Sequence, residues 1–180
     1  MYAVISGTNR PGSNTRKVAS AVRSCLQEAV GDEAVRLVDL QQLPAEIYDP
    51  ASYATKPDAF APFQETIESA AGIVTVVPEY NGSFPGALKY FIDMLRFPDS
   101  MHGVPVAFVG VAAGRWGAIR AVEQLQMVYQ YRLAKLFPQR VFIPTVHEVV
   151  NDEGVSDDEI AGRLKTTMVD FAAFAQRNPR

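Results

Sequence analysis

Five short apolar runs, separated by segments with helical periodicity, constrain this chain of 180 residues more than any other feature of its sequence. Such an alternation predicts a parallel β-sheet with helices packed against it. Because the runs are apolar almost throughout, helices should cover both faces of the sheet. The predicted strands cover residues 2–6, 35–40, 72–77, 104–111 and 140–143.

Apolar residues recur at helical spacing between these strands, as Val18, Val22 and Leu26 do in the first helix, which Gly31 closes. Further helices are predicted at about residues 63–71, 88–95, 118–136 and 157–176, and the proline-rich residues 41–63 are predicted to be irregular. This pattern favours an α/β fold of the flavodoxin-like type, a three-layer α/β/α sandwich with a five-stranded parallel sheet of order 2-1-3-4-5. No repeat or linker divides the sequence, so a single domain over residues 1–180 is expected.

Composition argues against several functional classes. A net charge of −3 does not provide the basic surface of a nucleic-acid-binding protein. The single Cys25 and the distant His102 and His147 predict neither a disulfide nor a metal centre. No apolar run approaches the roughly 20 residues of a membrane-spanning helix, and the first residues lack the basic start of a secretory leader. We therefore expect a cytoplasmic protein without nucleic-acid or membrane partners.

The loop after the first strand is the most informative of the three loops at the expected ligand edge of such a sheet. Small polar residues and one arginine precede the first helix, namely Thr8, Arg10, Ser13, Asn14 and Thr15. Backbone N–H groups and the dipole at a helix N-terminus favour an anion. Helix capping by Ser13 or Asn14 is the alternative interpretation, but one residue would be sufficient for that. A phosphate site is therefore favoured.

The residues that this loop lacks indicate which type of phosphate-bearing ligand it could bind. Gly7 and Gly12 have the spacing of a P-loop, but Ser13 stands where the phosphate-binding lysine should be. The loop also lacks the Gly-x-Gly-x-x-Gly pattern of dinucleotide sites. A hydroxyl-rich loop without these features suits a terminal monophosphate, such as that of flavin mononucleotide (FMN).

The loop after the third strand contains an aromatic ring and a flexible Asn-Gly pair, in Pro78, Glu79, Tyr80, Asn81 and Gly82. Such a segment can form a platform for a flat heterocycle. A simple tight turn is the alternative, because Asn-Gly is a strong turn signal.

The loop after the fourth strand contains the small residues Ala113, Gly114 and Gly117, which would let the backbone approach a ligand ring. Trp116 in the same loop is either a buried anchor or part of a subunit contact.

No catalytic residue is assigned from the sequence. Cys25 shares the apolar face of the first helix, which predicts an inert core thiol, and His102 and His147 are expected to be exposed. A hydride transfer does not require a positioned base, because a redox cofactor carries that chemistry itself.

Two motifs in this order carry a resemblance to a known family. Gly-Thr-Asn-Arg-Pro-Gly-Ser-Asn-Thr at residues 7–15 and Pro-Glu-Tyr-Asn-Gly-Ser-Phe-Pro-Gly-Ala-Leu-Lys at residues 78–89 resemble the NADPH-dependent FMN reductase family. That family includes flavodoxin-like quinone, azo-dye and chromate reductases. The similarity extends over about residues 2–143.

The resemblance implies where FMN binds. The phosphate would be held by Thr8, Arg10, Ser13, Asn14 and Thr15, the isoalloxazine ring would be lined by Pro78, Glu79, Tyr80, Asn81 and Gly82, and the site would be closed by Ala113, Gly114, Trp116 and Gly117. The family's third loop often has a Gly-Gly pair, whereas Arg115 and Trp116 precede Gly117 here.

The resemblance also implies an FMN-dependent oxidoreductase. NADPH or NADH would deliver hydride to the flavin, and a small electron acceptor (a flavin, quinone, azo compound or metal oxyanion) would replace the spent nucleotide. Family members commonly form homodimers or homotetramers, and the contact surfaces implied here are the helices around residues 88–95 and 119–129. The aromatic residues expected at those surfaces are Phe84, Tyr90, Phe97, Tyr129 and Tyr131. The alternative is a flavodoxin-type electron carrier without turnover of its own, which would usually be more acidic than this chain.

Overall fold

A five-stranded parallel sheet forms the centre of the molecule, in a computed structural model that describes residues 1–31 and 33–180. The strands lie in the order β2-β1-β3-β4-β5, which confirms the predicted winding. Their bounds are β1 Tyr2–Ser6, β2 Val35–Asp39, β3 Ile73–Pro78, β4 Pro105–Val111 and β5 Lys135–Ile143. Every residue of β1, β3 and β4 is buried, as their continuous apolar sequence predicts.

Helices cover both faces of the sheet and form two apolar clusters with it. One cluster joins the sheet to α1 and α6, and the other joins it to α2, α3 and α4. The helices are α1 Asn14–Val30, α2 Ala61–Glu68, α3 Gly86–Met94, α4 Ile119–Tyr131, the short α5 Val146–Val149 and α6 Asp158–Arg177. Among the described residues, no helix is both long and apolar enough to cross a membrane.

The boundary between α4 and β5 differs from the sequence prediction. The helix ends at Tyr131 rather than near residue 136, because Leu133 adopts a φ of 61° that a helix does not allow. The strand then begins at Lys135, whose N–H donates to the Val104 carbonyl at 2.9 Å. β5 is an edge strand that exposes Pro138 and Gln139, and the polar Gln139 and Arg140 interrupt the apolar run that marks the central strands.

Two further segments contain short elements that the sequence patterns did not predict. Residues 41–63, predicted to be irregular, contain short 3₁₀ turns before α2 begins at Ala61. A small antiparallel pair, β6 Val150–Asn151 and β7 Gly154–Val155, follows α5. Strands of two residues are too short to produce a periodic signal.

A close backbone contact fixes the loop after β4 against the sheet. A Cβ atom on Gly110 would lie 2.3 Å from the carbonyl oxygen of Gly117, and one on Gly117 would lie 2.8 Å from the Phe142 Cβ. The loop can therefore fold back onto β4 and β5 only because both positions are glycine.

We expect Gly110→Ala to destabilise the fold by about 1–3 kcal/mol, because the added methyl group must displace backbone rather than a flexible side chain. Gly162→Ala in α6 is the control, since its Cβ would meet nothing within 4 Å. That change should stabilise the protein by about 0.5–1 kcal/mol. Urea denaturation of the three proteins checks both signs, and equal stability of Gly110→Ala and the natural chain would contradict the close contact.

Candidate functional site

A cleft of about 480 Å³ opens at the carboxyl ends of β1, β3 and β4. The loops after these three strands and the short helix α5 form its walls. Its lining consists of Arg10, Gly12, Ser13, Asn14, Thr15, Pro78, Glu79, Tyr80, Val111, Ala112, Ala113, Val146 and His147. This position is where sheets of this winding bind ligands.

The first turn of α1 forms one end of the cleft. Ser13 is the N-cap, and its Oγ accepts a hydrogen bond from the Arg16 N–H at 3.2 Å. The capping interpretation is thus correct for Ser13, but it leaves the amides of Asn14 and Thr15 without an acceptor inside the helix. With the helix dipole, these N–H groups favour an anion in the cleft.

Three basic side chains lie near this turn, and their partners distinguish them. Arg16 Nε donates to Asp39 at 2.8 Å, and Lys17 Nζ donates to Asp152 at 2.7 Å. The hydrogen bond from Lys17 lowers the pKa of the Asp152 carboxyl. Arg10 is exposed, lines the cleft and has no ion pair with a residue that the structure describes. Arg10 is therefore the cation most available to a ligand.

A hydrogen bond joins the loop after β1 to the loop after β3. The hydroxyls of Thr8 and Tyr80 lie 2.9 Å apart, and Thr8 Oγ1 also accepts from the Arg10 N–H at 3.2 Å. Thr8 is only 1% exposed, so it lies behind the cleft surface and holds the two loops in register.

The loop after β3 contains the tight turn that the Asn-Gly pair predicts. The Tyr80 N–H donates to the Ser83 carbonyl at 2.8 Å across a turn in which Asn81 and Gly82 have φ values of 52° and 77°. Two positive φ values define a type I′ turn, for which Asn-Gly is the preferred pair. The Ser83 hydroxyl donates a hydrogen bond to Gln124 Oε1 at 2.6 Å, which connects the turn to α4.

Glu79 leaves a polar atom in the wall of the cleft without a partner. Its N–H donates to the Val111 carbonyl at 3.1 Å, which fixes the backbone beside β4. Its Oε2 is buried and has no hydrogen-bond partner among residues 1–31 and 33–180. Because buried polar atoms are nearly always paired, this oxygen is suited to accept from a ligand N–H group.

The loop after β4 contributes less to the cleft than predicted. Ala113 lines it, whereas the Gly114 carbonyl accepts from the Thr145 N–H at 3.3 Å and Gly117 packs against Phe142. The buried-anchor interpretation of Trp116 is wrong, because its side chain is 61% exposed. The Arg115 guanidinium lies over the indole at 5.1 Å, so the pair forms a surface feature of the loop after β4.

The structure gathers most of the predicted binding residues around one cleft. Arg10, Ser13, Asn14, Thr15, Pro78, Glu79, Tyr80 and Ala113 line it, while Thr8, Asn81, Gly82, Gly114, Trp116 and Gly117 lie outside its lining. The role of each in binding stays a prediction.

Sequence reasoning missed the contribution of α5. His147, expected to be a solvent-exposed bystander, is exposed but lies in the cleft wall beside Asn14. The signal available was its position just after the fifth strand, whose carboxyl end meets the same edge of the sheet.

Cys25 lies outside the lining of this cleft. Cys25 is half-buried on α1, and burial raises the pKa of its thiol, which fits the predicted inert role. Among the residues that the structure describes, no three His, Cys, Asp or Glu side chains are grouped as a metal site would require.

Together the sheet order and the position of the cleft define a flavodoxin-like protein. Comparison with known proteins identifies the family. The profile of the NADPH-dependent FMN reductase family matches residues 2–148. The chain belongs to this family, which confirms the predicted family and its use of FMN with NAD(P)H as electron donor.

Individual relatives agree with this assignment. A quinone reductase from Pseudomonas putida is 30% identical over 182 residues, which cover 98% of this chain and 95% of the relative. An NAD(P)H-dependent FMN reductase from Pseudomonas aeruginosa is 35% identical over 129 residues, covering 68% of this chain and 65% of the relative. The fold is similar to that of FerB, a flavoenzyme NAD(P)H:(acceptor) oxidoreductase from Paracoccus denitrificans, with a TM-score of 0.80 and 24% identity over 99% of this chain and 98% of that one.

The cleft fits FMN at both ends. The α1 N-terminus provides amide and hydroxyl donors with the positive charge of Arg10, which suits a phosphate. At the other end, small residues such as Ala112 and Ala113 leave room for a flat ring, and a ring that carries an N–H group would give the buried Glu79 Oε2 its missing partner.

The bond between Thr8 and Tyr80 provides a direct test of how the cleft is assembled. In a double-mutant cycle with Thr8→Val and Tyr80→Phe, we expect a coupling of about 0.5–1.5 kcal/mol, the usual net contribution of one hydrogen bond. The measurement is urea unfolding of the natural chain, both single variants and the double variant. Strictly additive effects would contradict a direct bond between the two loops.

Proposed function

We propose that this chain uses FMN in the cleft between α1 and the loops after β3 and β4 to transfer electrons from NAD(P)H to a small acceptor of the quinone type. The observation that carries this proposal is the pairing of an anion-binding helix start with a ring-sized polar shelf in one cleft of a family member. The relatives named as quinone reductases support a quinone as the first acceptor to test.

When bound, FMN supplies the redox chemistry, since it takes up a hydride from NAD(P)H and gives two electrons to the acceptor. For a quinone, NAD(P)H and one proton from solvent yield NAD(P)⁺ and the quinol. The protein has no bond to break in this exchange. Its contribution is to hold the ring and the incoming molecules in position.

The side chains of the cleft divide this work. Arg10, with Ser13 and the amides of Asn14 and Thr15, binds the phosphate and so sets the depth at which the ring lies. The hydrogen-bonded turn after Tyr80 and the carboxylate of Glu79 orient the ring.

We further propose a domain organisation and a cellular location for the enzyme. The main helices pack on one five-stranded sheet, and β6 and β7 pack against α1, which supports a single domain over the whole chain. A donor of the NAD(P)H type and a lone half-buried cysteine support a cytoplasmic location.

An anaerobic titration separates the enzyme from a flavodoxin-type carrier. The FMN-loaded protein should lose its visible flavin absorbance on addition of NADPH and recover it on addition of benzoquinone. Steady-state oxidation of NADPH should then require the quinone. A yellow protein that NADPH fails to bleach would favour the carrier, and a protein that binds no FMN would contradict the proposal as a whole.

We also propose that the chain forms a homodimer through the groove between α3 and α4. These are the two helices that the family resemblance of the sequence implied as contact surfaces. The groove has a volume of about 450 Å³ and is bordered by Phe97, Met127 and Tyr131. Met127 is 63% and Tyr131 75% exposed, which is unusual for neighbouring large apolar side chains. Tyr129, also expected at this surface, is instead fully buried, and its hydroxyl bonds Thr75 at 2.8 Å.

Replacing both Met127 and Tyr131 by glutamate should convert the dimer to a monomer, because the charges would be desolvated in the contact. Sedimentation velocity measures the change. Val169→Glu, at an exposed apolar site on α6, is the matched control and should remain dimeric. A natural chain that sediments as a monomer would contradict the proposed dimer.

A further inference from the structure

His147 is held against the cleft by the backbone around it. The preceding Thr145 adopts a φ of 42°, which is rare for a β-branched residue and turns the chain sharply out of β5. The Val146 N–H then donates to the Ala112 carbonyl at 3.0 Å. These contacts attach the first turn of α5 to the loop after β4, so the position of His147 is set by two loops of the cleft.

The imidazole contacts the predicted phosphate loop directly. His147 Nδ1 accepts a hydrogen bond from the Asn14 side-chain amide at 3.3 Å, and both residues line the cleft together with Arg10 and Ser13. This bond requires an unprotonated Nδ1. Protonation would remove that acceptor, turn the Asn14 oxygen toward the ring and add a positive charge beside the start of α1.

The charges around His147 come from five segments of the chain. Arg10 in the loop after β1 is positive, and Glu79 in the loop after β3 is negative. Glu148 follows in α5 and is exposed. Lys17 of α1 and Asp152 of the turn between β6 and β7 form an ion pair, so they add little net charge. A positive charge on His147 would therefore lie between Glu148, its neighbour in α5, and the loop expected to bind a phosphate.

We propose that His147 is a further binding residue for the FMN phosphate, and that its protonation strengthens FMN binding. This inference rests on the proposed function, since it places the phosphate at the start of α1. Histidine is the side chain that ordinarily changes charge between pH 5 and 8. A phosphate dianion favours the charged ring, so the affinity for FMN should be greater at pH 6.5 than at pH 8.5. Neither residue motif identified in the sequence includes this histidine.

The dissociation constant of FMN, measured by quenching of flavin fluorescence, tests the proposal at the two pH values. For the natural chain we expect binding to be about threefold to fivefold tighter at pH 6.5, as for one partly exposed charge pair. His147→Gln should remove this dependence and bind at both pH values as the natural chain does at pH 8.5. Riboflavin, which lacks the phosphate, should bind without pH dependence.

Arg10→Ala is the matched control, because arginine keeps its charge across this range. It should weaken FMN binding by about tenfold at both pH values, roughly 1.4 kcal/mol, and leave their ratio unchanged. This variant reports whether the phosphate lies in the loop. It thereby separates the proposed binding site from the titration of His147.

NMR titration of the two imidazole rings gives a readout that a purely structural role would not move. The apparent titration midpoint of His147 should rise when FMN binds, whereas that of the exposed His102, which precedes β4 at the opposite end of the sheet, should not. An unchanged His147 midpoint, or a His147→Gln variant with the natural pH ratio, would overturn this inference while leaving the proposed function intact. Absence of FMN binding by the natural chain would overturn both.

Discussion

The rest of the site depends on the central strand β3, which pairs in parallel with β1 on one side and with β4 on the other. Ser6 lies opposite Val76, and Val76 lies opposite Val109, so three strands reach the same edge of the sheet together. The loops that follow these three strands therefore line the same cleft. The cleft is therefore a consequence of strand order and register, and its residues need no proximity in sequence.

Short-range contacts convert this arrangement into a defined cavity. The Thr8–Tyr80 bond connects two of the loops, and the close approach of Gly110 and Gly117 holds the third against the sheet. The type I′ turn at Asn81 and Gly82 shapes the shelf between them. A loosened contact at any of these points would change the distance between the start of α1 and the shelf after β3.

The electrostatics of the cleft are divided between its two ends. Arg10 and the first turn of α1 present donors and positive potential, while Glu79 presents a buried acceptor without a partner. Arg16 and Lys17 lie in the first turn of α1 itself, but their charges are already paired with Asp39 and Asp152. This division is suited to the proposed ligand, which has an anionic phosphate at one end and a hydrogen-bonding ring at the other.

The sequence by itself determined the succession of strands and helices, the two motif loops and the family, because these depend on local periodicity and on residues adjacent in the chain. The strand order was predicted from the fold class that this succession indicates. It also identified most of the lining of the cleft, from Arg10 to Thr15 and from Pro78 to Tyr80. Only the tertiary structure decided that Trp116 is exposed, that Tyr129 belongs to the core and that His147 touches Asn14. Those outcomes depend on contacts between residues far apart in the chain, 133 positions in the case of Asn14 and His147, which local patterns do not encode.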